Sequence, residues 1–369
     1  MDEREHNLDR QTDRQTDRQT DRQTDRQTDR IQYFDILRIA ASFSIILLHL
    51  VAQNYNDTNV LSGDWQIYNF FYNSTKWAVP VFVMISGALF LKRDIQLKII
   101  FKKYIFRIVM AYVFWSAIYS CHLLLNGTLT KKEAIIHFIN GHYHLWFLYM
   151  IVGLYLLIPI CKAIVSNKNI TRYFLILWFA FDFLVPFVFE IGRYTFESVS
   201  YTLEDSFKLM YVTMPLGYVG YFVLGYYLNT IEIEKKQEVI IYSLGIVGLI
   251  AAVFGTSWLS CAADNKAELL VRCILFFAVA VFVFAKQHLN GIVKNNRVKR
   301  VLAKLSNCSF GVYLVHALVL NLVLRMIDYQ TLFNNLVLAT LAISVLVFIL
   351  SYVVSLLLNC IPFVKKYFV

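Results

Sequence analysis

The sequence predicts an all-α integral membrane protein of about ten transmembrane helices, with both termini cytoplasmic. Three observations carry this. Of 369 residues, 58% are apolar and only 16% charged, against about 25% charged in an ordinary soluble domain. Mean hydropathy is +0.54. From Ile31 onward, apolar runs of about 20 residues recur, each long enough to cross a hydrocarbon core of roughly 30 Å. A soluble enzyme, a disordered regulator and a disulfide-stapled secreted module are excluded.

The chain opens differently. Residues 9–30 read DRQT five times and then DR. With no apolar side chain, this stretch cannot bury enough surface to offset its ordering entropy. Residues 1–30 are therefore expected to be a disordered cytoplasmic tail, and 31–369 the membrane domain. No signal-peptide pattern precedes the first run, which is expected to stay as a helix. The repeat also has a meaning in DNA. A four-residue period is what a four-nucleotide repeat encodes, and only GACA, read GAC-AGA-CAG-ACA, gives Asp-Arg-Gln-Thr. Slippage by one unit shifts everything after Arg30 out of frame, which is the behaviour of a phase-variation switch. The competing reading is a protein-level repeat of mixed codons, selected for the tail itself.

The ten runs fall at about 33–53, 70–91, 104–125, 144–163, 171–190, 211–229, 238–257, 268–286, 306–326 and 333–358. Beyond the tail the chain holds 28 basic and 16 acidic residues. The excess forms no patch interleaved with aromatics, as nucleic-acid binding would need. It is parcelled out between the runs. With the amino terminus inside, inner loops and the carboxyl tail hold 18 Lys and Arg and outer loops seven, so the alternation obeys the positive-inside rule. Six cysteines show no metal-like pairing and read as small buried hydrophobes; no metal is expected.

Ionisable groups inside spanning helices are costly and functional by default. The first run reads YFDILRIAASFSIILLHLVAQN. At 100° per residue, Arg38 and His49 share one face to within about 20°, roughly 16 Å apart along the axis. Asp35, Ser42 and Gln53 join the same stripe, a polar track through apolar sequence. His49 suits proton transfer, because an imidazole titrates near neutrality. Arg38 carries a planar fork of donors suited to phosphate or a developing oxyanion. The bland alternative has Arg38 snorkelling, Asp35 pairing with it, and His49 bonded to a neighbouring helix.

Near the inner end of the third run, Lys102 and Lys103 read as topology signals, and Arg107, one turn further in, reads equally as snorkelling or phosphate binding. The fourth run opens GHYHLWFLYMIVGLYLLIP, placing His142, His144 and Trp146 at the outer surface, as an aromatic belt or as an acceptor pocket at the depth of His49. Two histidines without carboxylate or Cys support are weak evidence for a metal. Ser86-Gly87 reads as a close-packing step between helices. Tyr313 and His316, one turn apart in SFGVYLVHALVL, join the candidate acceptor pocket. Asp182 has no sequence partner.

Taken together, Arg38-x10-His49 after Asp35, with VPVFVMISGALFL, HLWFLYMIVGLYLLIP, YVGYFVLGYYL and SFGVYLVH in that order, resembles the bacterial membrane acyltransferase family 3. Its members are multi-pass inner-membrane O-acetyltransferases of surface polysaccharides, and the likeness covers about 31–360. The resemblance implies a cytoplasmic acyl-CoA donor, typically acetyl-CoA, and a glycan or lipid-linked sugar such as lipopolysaccharide as acceptor. It makes His49 the catalytic base and Arg38 its partner on the donor, with Asp35 beside them, and assigns Lys102, Lys103 and Arg107 to the donor. Arg107 matches the second arginine of the family's R-x-x-R motif, whereas Tyr104 replaces the first. Direct transfer and a covalent acyl-histidine both fit. The rival function is export of a polysaccharide or lipid-linked sugar through the same polar track, although no matching pair of broken helices supports it.

Overall fold

The structure, a computed structural model, describes residues 30–210, 213–327 and 335–369, which are helical with no strand among them. Residues 1–29, and with them the disorder expected of the tail, lie outside the described residues. In chain order the helices are α1 (Gln32–Tyr55), α2 (Gly63–Thr75), α3 (Ala78–Phe90), α4 (Leu97–Leu125), α5 (Lys131–Asn140), α6 (Trp146–Leu156), α7 (Ile158–Val165), α8 (Lys168–Arg193), α9 (Glu197–Lys208), α10 (Thr213–Thr230), α11 (Lys235–Ala263), α12 (Leu270–Leu289), α13 (Asn296–Met326) and α14 (Leu336–Cys360).

The described residues of the apolar runs are mostly helical, but not every run is one long unbroken helix. Among the described residues seven helices, α1, α4, α8, α11, α12, α13 and α14, are long and apolar enough to cross a membrane. An eighth is made if α5 to α7, bent by 55° at Leu157, form one broken span. The run at 70–91 is divided between α2 and α3 by a turn at Lys76 and Trp77. The run at 211–229 becomes the 18-residue α10, bent at Gly217, whose carbonyl accepts a hydrogen bond from the Trp178 indole at 3.0 Å. Breaks in helices of this kind are tolerated where neighbours take up the freed backbone groups.

α1 runs through the middle of the bundle, against α2, α3, α13 and α14. Its first turn anchors on α12, where Tyr33 meets Phe282 edge-on with centroids 5.9 Å apart. α3 and α10 touch backbone to backbone. A Cβ at Gly87 would stand 1.8 Å from the Phe222 carbonyl oxygen, and one at Gly225 would stand 2.1 Å from that of Met84. The Ser86-Gly87 step is thus a close-packing device, and the Ser86 hydroxyl donates back to Phe82 O at 2.9 Å. Helix ends are closed locally: Ser62 caps α2, Asn295 caps α13 and Asn335 caps α14. Lys286 closes the end of α10, donating to the Leu228 and Ile231 carbonyls at 2.7 and 2.6 Å.

Candidate active site

The polar track begins with an ion pair that the sequence did not suggest. Asp35 is buried and is held by Arg30, whose Nε and Nη2 donate to its two oxygens at 2.6 and 3.0 Å. Arg30 also donates to Ala303 O and Asn307 Oδ1 of α13. Arg38 stands further off, at 3.7 Å from Asp35, with Ser306 at 3.5 Å. Arg30 therefore ties Asp35, at the foot of α1, to α13, and the Arg38 fork faces a cavity.

That cavity has a volume of about 340 Å³, within the usual range for small-molecule sites. Arg38 and Ile45 of α1, Tyr104 and Arg107 of α4, Tyr155 of α6 and Tyr313 of α13 stand in its wall, among others. Both arginines thus open onto one chamber, as a phosphate-bearing ligand requires. Arg107 also donates to the backbone oxygen of Val369. Beside it, the Trp115 indole donates to Phe368 O at 3.0 Å, so the chain's last two residues pack at the chamber's rim. Lys102 and Lys103 are exposed and are not among the cavity-lining residues; Tyr104 holds the wall position between them and Arg107.

Beyond Tyr313 lies a cluster of rings. The Tyr313 hydroxyl donates to the His144 carbonyl, and its ring centroid is 5.5 Å from that of His144. His316 is 4.9 Å from His144 and stacks on His49 at 5.3 Å. His49 also meets Tyr143 edge-on at 5.0 Å. His142 and His144 approach through their Nδ1 atoms at 3.1 Å. Four histidines from three separate parts of the chain therefore meet on the far side of Tyr313 from the arginines. Among the described residues, no group of three or more His, Cys, Asp or Glu is arranged to hold a metal ion.

Trp146 does not join them. It is 43% exposed and turns toward Tyr218, 5.7 Å away, so of the residues expected at the acceptor pocket it alone faces outward. Gln53 is also exposed, which ends the track of α1 at His49. Asp182 sits in a π-helical stretch of α8, Phe179–Leu184, whose backbone receives Arg272 at 3.5 Å. Tyr119 of α4 is the residue that sequence reasoning missed. It stacks on His142 at 4.4 Å, donates to Leu314 O at 2.8 Å and accepts from Leu318 N at 3.2 Å. Its hydroxyl thereby bridges both ends of one α13 turn, the turn that carries His316. Set in an apolar run, this tyrosine carried no signal of that role.

Two arginines thus line one cavity of a helical membrane protein, and four histidines gather beyond Tyr313. The model of acyltransferase family 3, described as an acyltransferase domain, matches residues 31–359, and the chain belongs to that family. No curated protein and no solved structure matches it.

Proposed function

We propose that this acyltransferase moves an acyl group, acetyl in the simplest case, from acyl-CoA to a hydroxyl of a glycan or lipid-linked sugar, in the cytoplasmic membrane of a bacterium. The observation that supports this most is the chamber itself, which leads from Arg38 and Arg107 to Tyr313, one ring away from the histidines. CoA phosphates are held at the arginine end, with Lys102 and Lys103 at the entrance adding positive potential. The pantetheine arm follows the chamber. The acceptor enters from the histidine end, past His142 and His144.

In this mechanism His49 takes the proton of the sugar hydroxyl as its oxygen attacks the thioester carbonyl. The negative charge that develops on the thioester carbonyl oxygen is met by fixed donors at the histidine end of the chamber. The C–S bond breaks, and the sulfur takes up the proton. The four-base reading of the DRQT tract belongs to the same proposal, because switching on and off suits an enzyme that modifies an exposed glycan. The test is to incubate the purified protein with acetyl-CoA labelled in the acetyl group and with a lipid-linked sugar extract of the source cells. Label moving into the extract supports the reading, and label remaining on CoA contradicts it.

A further inference from the structure

The mechanism above uses one imidazole, and the structure holds a second whose chemistry it leaves unused. His316 is wholly buried on α13. Its Nδ1 lies 2.6 Å from the Tyr313 carbonyl oxygen. A carbonyl only accepts, so Nδ1 carries the hydrogen and Nε2 the lone pair. That Nε2 has no hydrogen-bond partner among the described residues, an unusual condition for a buried polar atom. The ring stacks on His49 with centroids 5.3 Å apart and planes at 24°.

The neighbouring groups sharpen the role. His144, Tyr313 and His49 surround the ring, and Tyr119 holds the turn beneath it. None of these is a carboxylate. In chymotrypsin-like sites the working imidazole is steadied through its far nitrogen by an acceptor; at His316 the Tyr313 carbonyl occupies that place. His144 also has an unpartnered Nε2. However, its Nδ1 faces His142, where either ring can donate, so no lone pair is assigned to it.

We infer that His316 is a positioning residue that shares the transferred proton with His49, an inference that rests on the acyl-transfer reading above. The hydroxyl O–H bond breaks and the proton passes to His49. The imidazolium so formed donates to a bridging water, which in turn donates to the lone pair of His316 Nε2, while the new C–O bond forms. As the C–S bond breaks, the proton returns from the pair to the thiolate sulfur. Nothing further is consumed, and His316 ends as it began.

The test uses the full-length purified protein, acetyl-CoA and the lipid-linked sugar extract. His316→Asn keeps an amide N–H for the Tyr313 carbonyl but has no counterpart of Nε2. Its kcat should fall at least about tenfold, with KM for acetyl-CoA changed less than about twofold. A folded His316→Asn with wild-type kcat overturns the inference, since a purely structural histidine tolerates this replacement. A second measurement needs no variant: kcat of the wild type in mixtures of H₂O and D₂O. Curvature, from more than one proton in flight, supports the pair, and a straight line from a single proton overturns it. Wild-type protein that moves no acetyl group removes the functional reading instead, a failure distinct from either of these.

Discussion

Arg30 grips Asp35 with two nitrogens, at 2.6 and 3.0 Å, and leaves Arg38 the longer contact to the same carboxylate, at 3.7 Å. The two arginines have divided their work. Arg30 is a staple between the foot of α1 and α13, and Arg38 faces the chamber.

The staple should be structural only. Among the described residues Arg30→Ala leaves the buried carboxylate with Arg38 as its neighbouring cation, but Arg30 is 44% exposed, which limits the loss to about 1 kcal/mol. The unfolding midpoint in detergent should drop by a few degrees while kcat of the folded fraction is kept. A large fall in kcat with an unchanged midpoint would place Arg30 in the chemistry.

Arg38→Lys should do the opposite. It keeps the charge and loses the planar fork, so acyl transfer should fall at least about tenfold with little change in the midpoint. A merely snorkelling arginine tolerates lysine, and near-normal transfer by this variant would establish that bland role.

The α3–α10 contact should not accept a methyl group. At Gly87 the added Cβ meets the Phe222 backbone at 1.8 Å, whereas at Gly153 nothing stands within 4 Å. Gly87→Ala should cost about 1–3 kcal/mol or more through overpacking, and Gly153→Ala should express and melt like the parent. Equal behaviour of the two would show that the helices sit further apart.

Much of this was legible because a membrane domain writes its helices as apolar runs. The track of Arg38 and His49 followed from helical period alone, and His142, His144, Tyr313 and His316 do meet around it. Distances between helices are not written that way. The break between α2 and α3 and the bend at Gly217 depend on neighbours such as Trp178, and no local pattern announces them. In sequence Arg30 is only the end of a repeat, because its partners on α13 are distant along the chain. Trp146 and His144 are two residues apart across a change from 3-10 to α-helix, and that change turns one inward and the other out.

The DRQT tract makes its own prediction. Sequencing the gene from many single colonies should find uninterrupted GACA in varying copy number, with acyl transfer present only in frames that read through Arg30 into the membrane domain. Mixed synonymous codons at a fixed copy number would end the switching account.

The central claim is that His49 takes the acceptor's proton, and one comparison tests it most directly: labelled acetyl transfer by the wild type and by His49→Gln. Glutamine keeps hydrogen bonding and neutrality but cannot accept the proton, so transfer should fall by about 10²-fold or more while the protein stays folded in the membrane. Substantial transfer by His49→Gln would contradict the account.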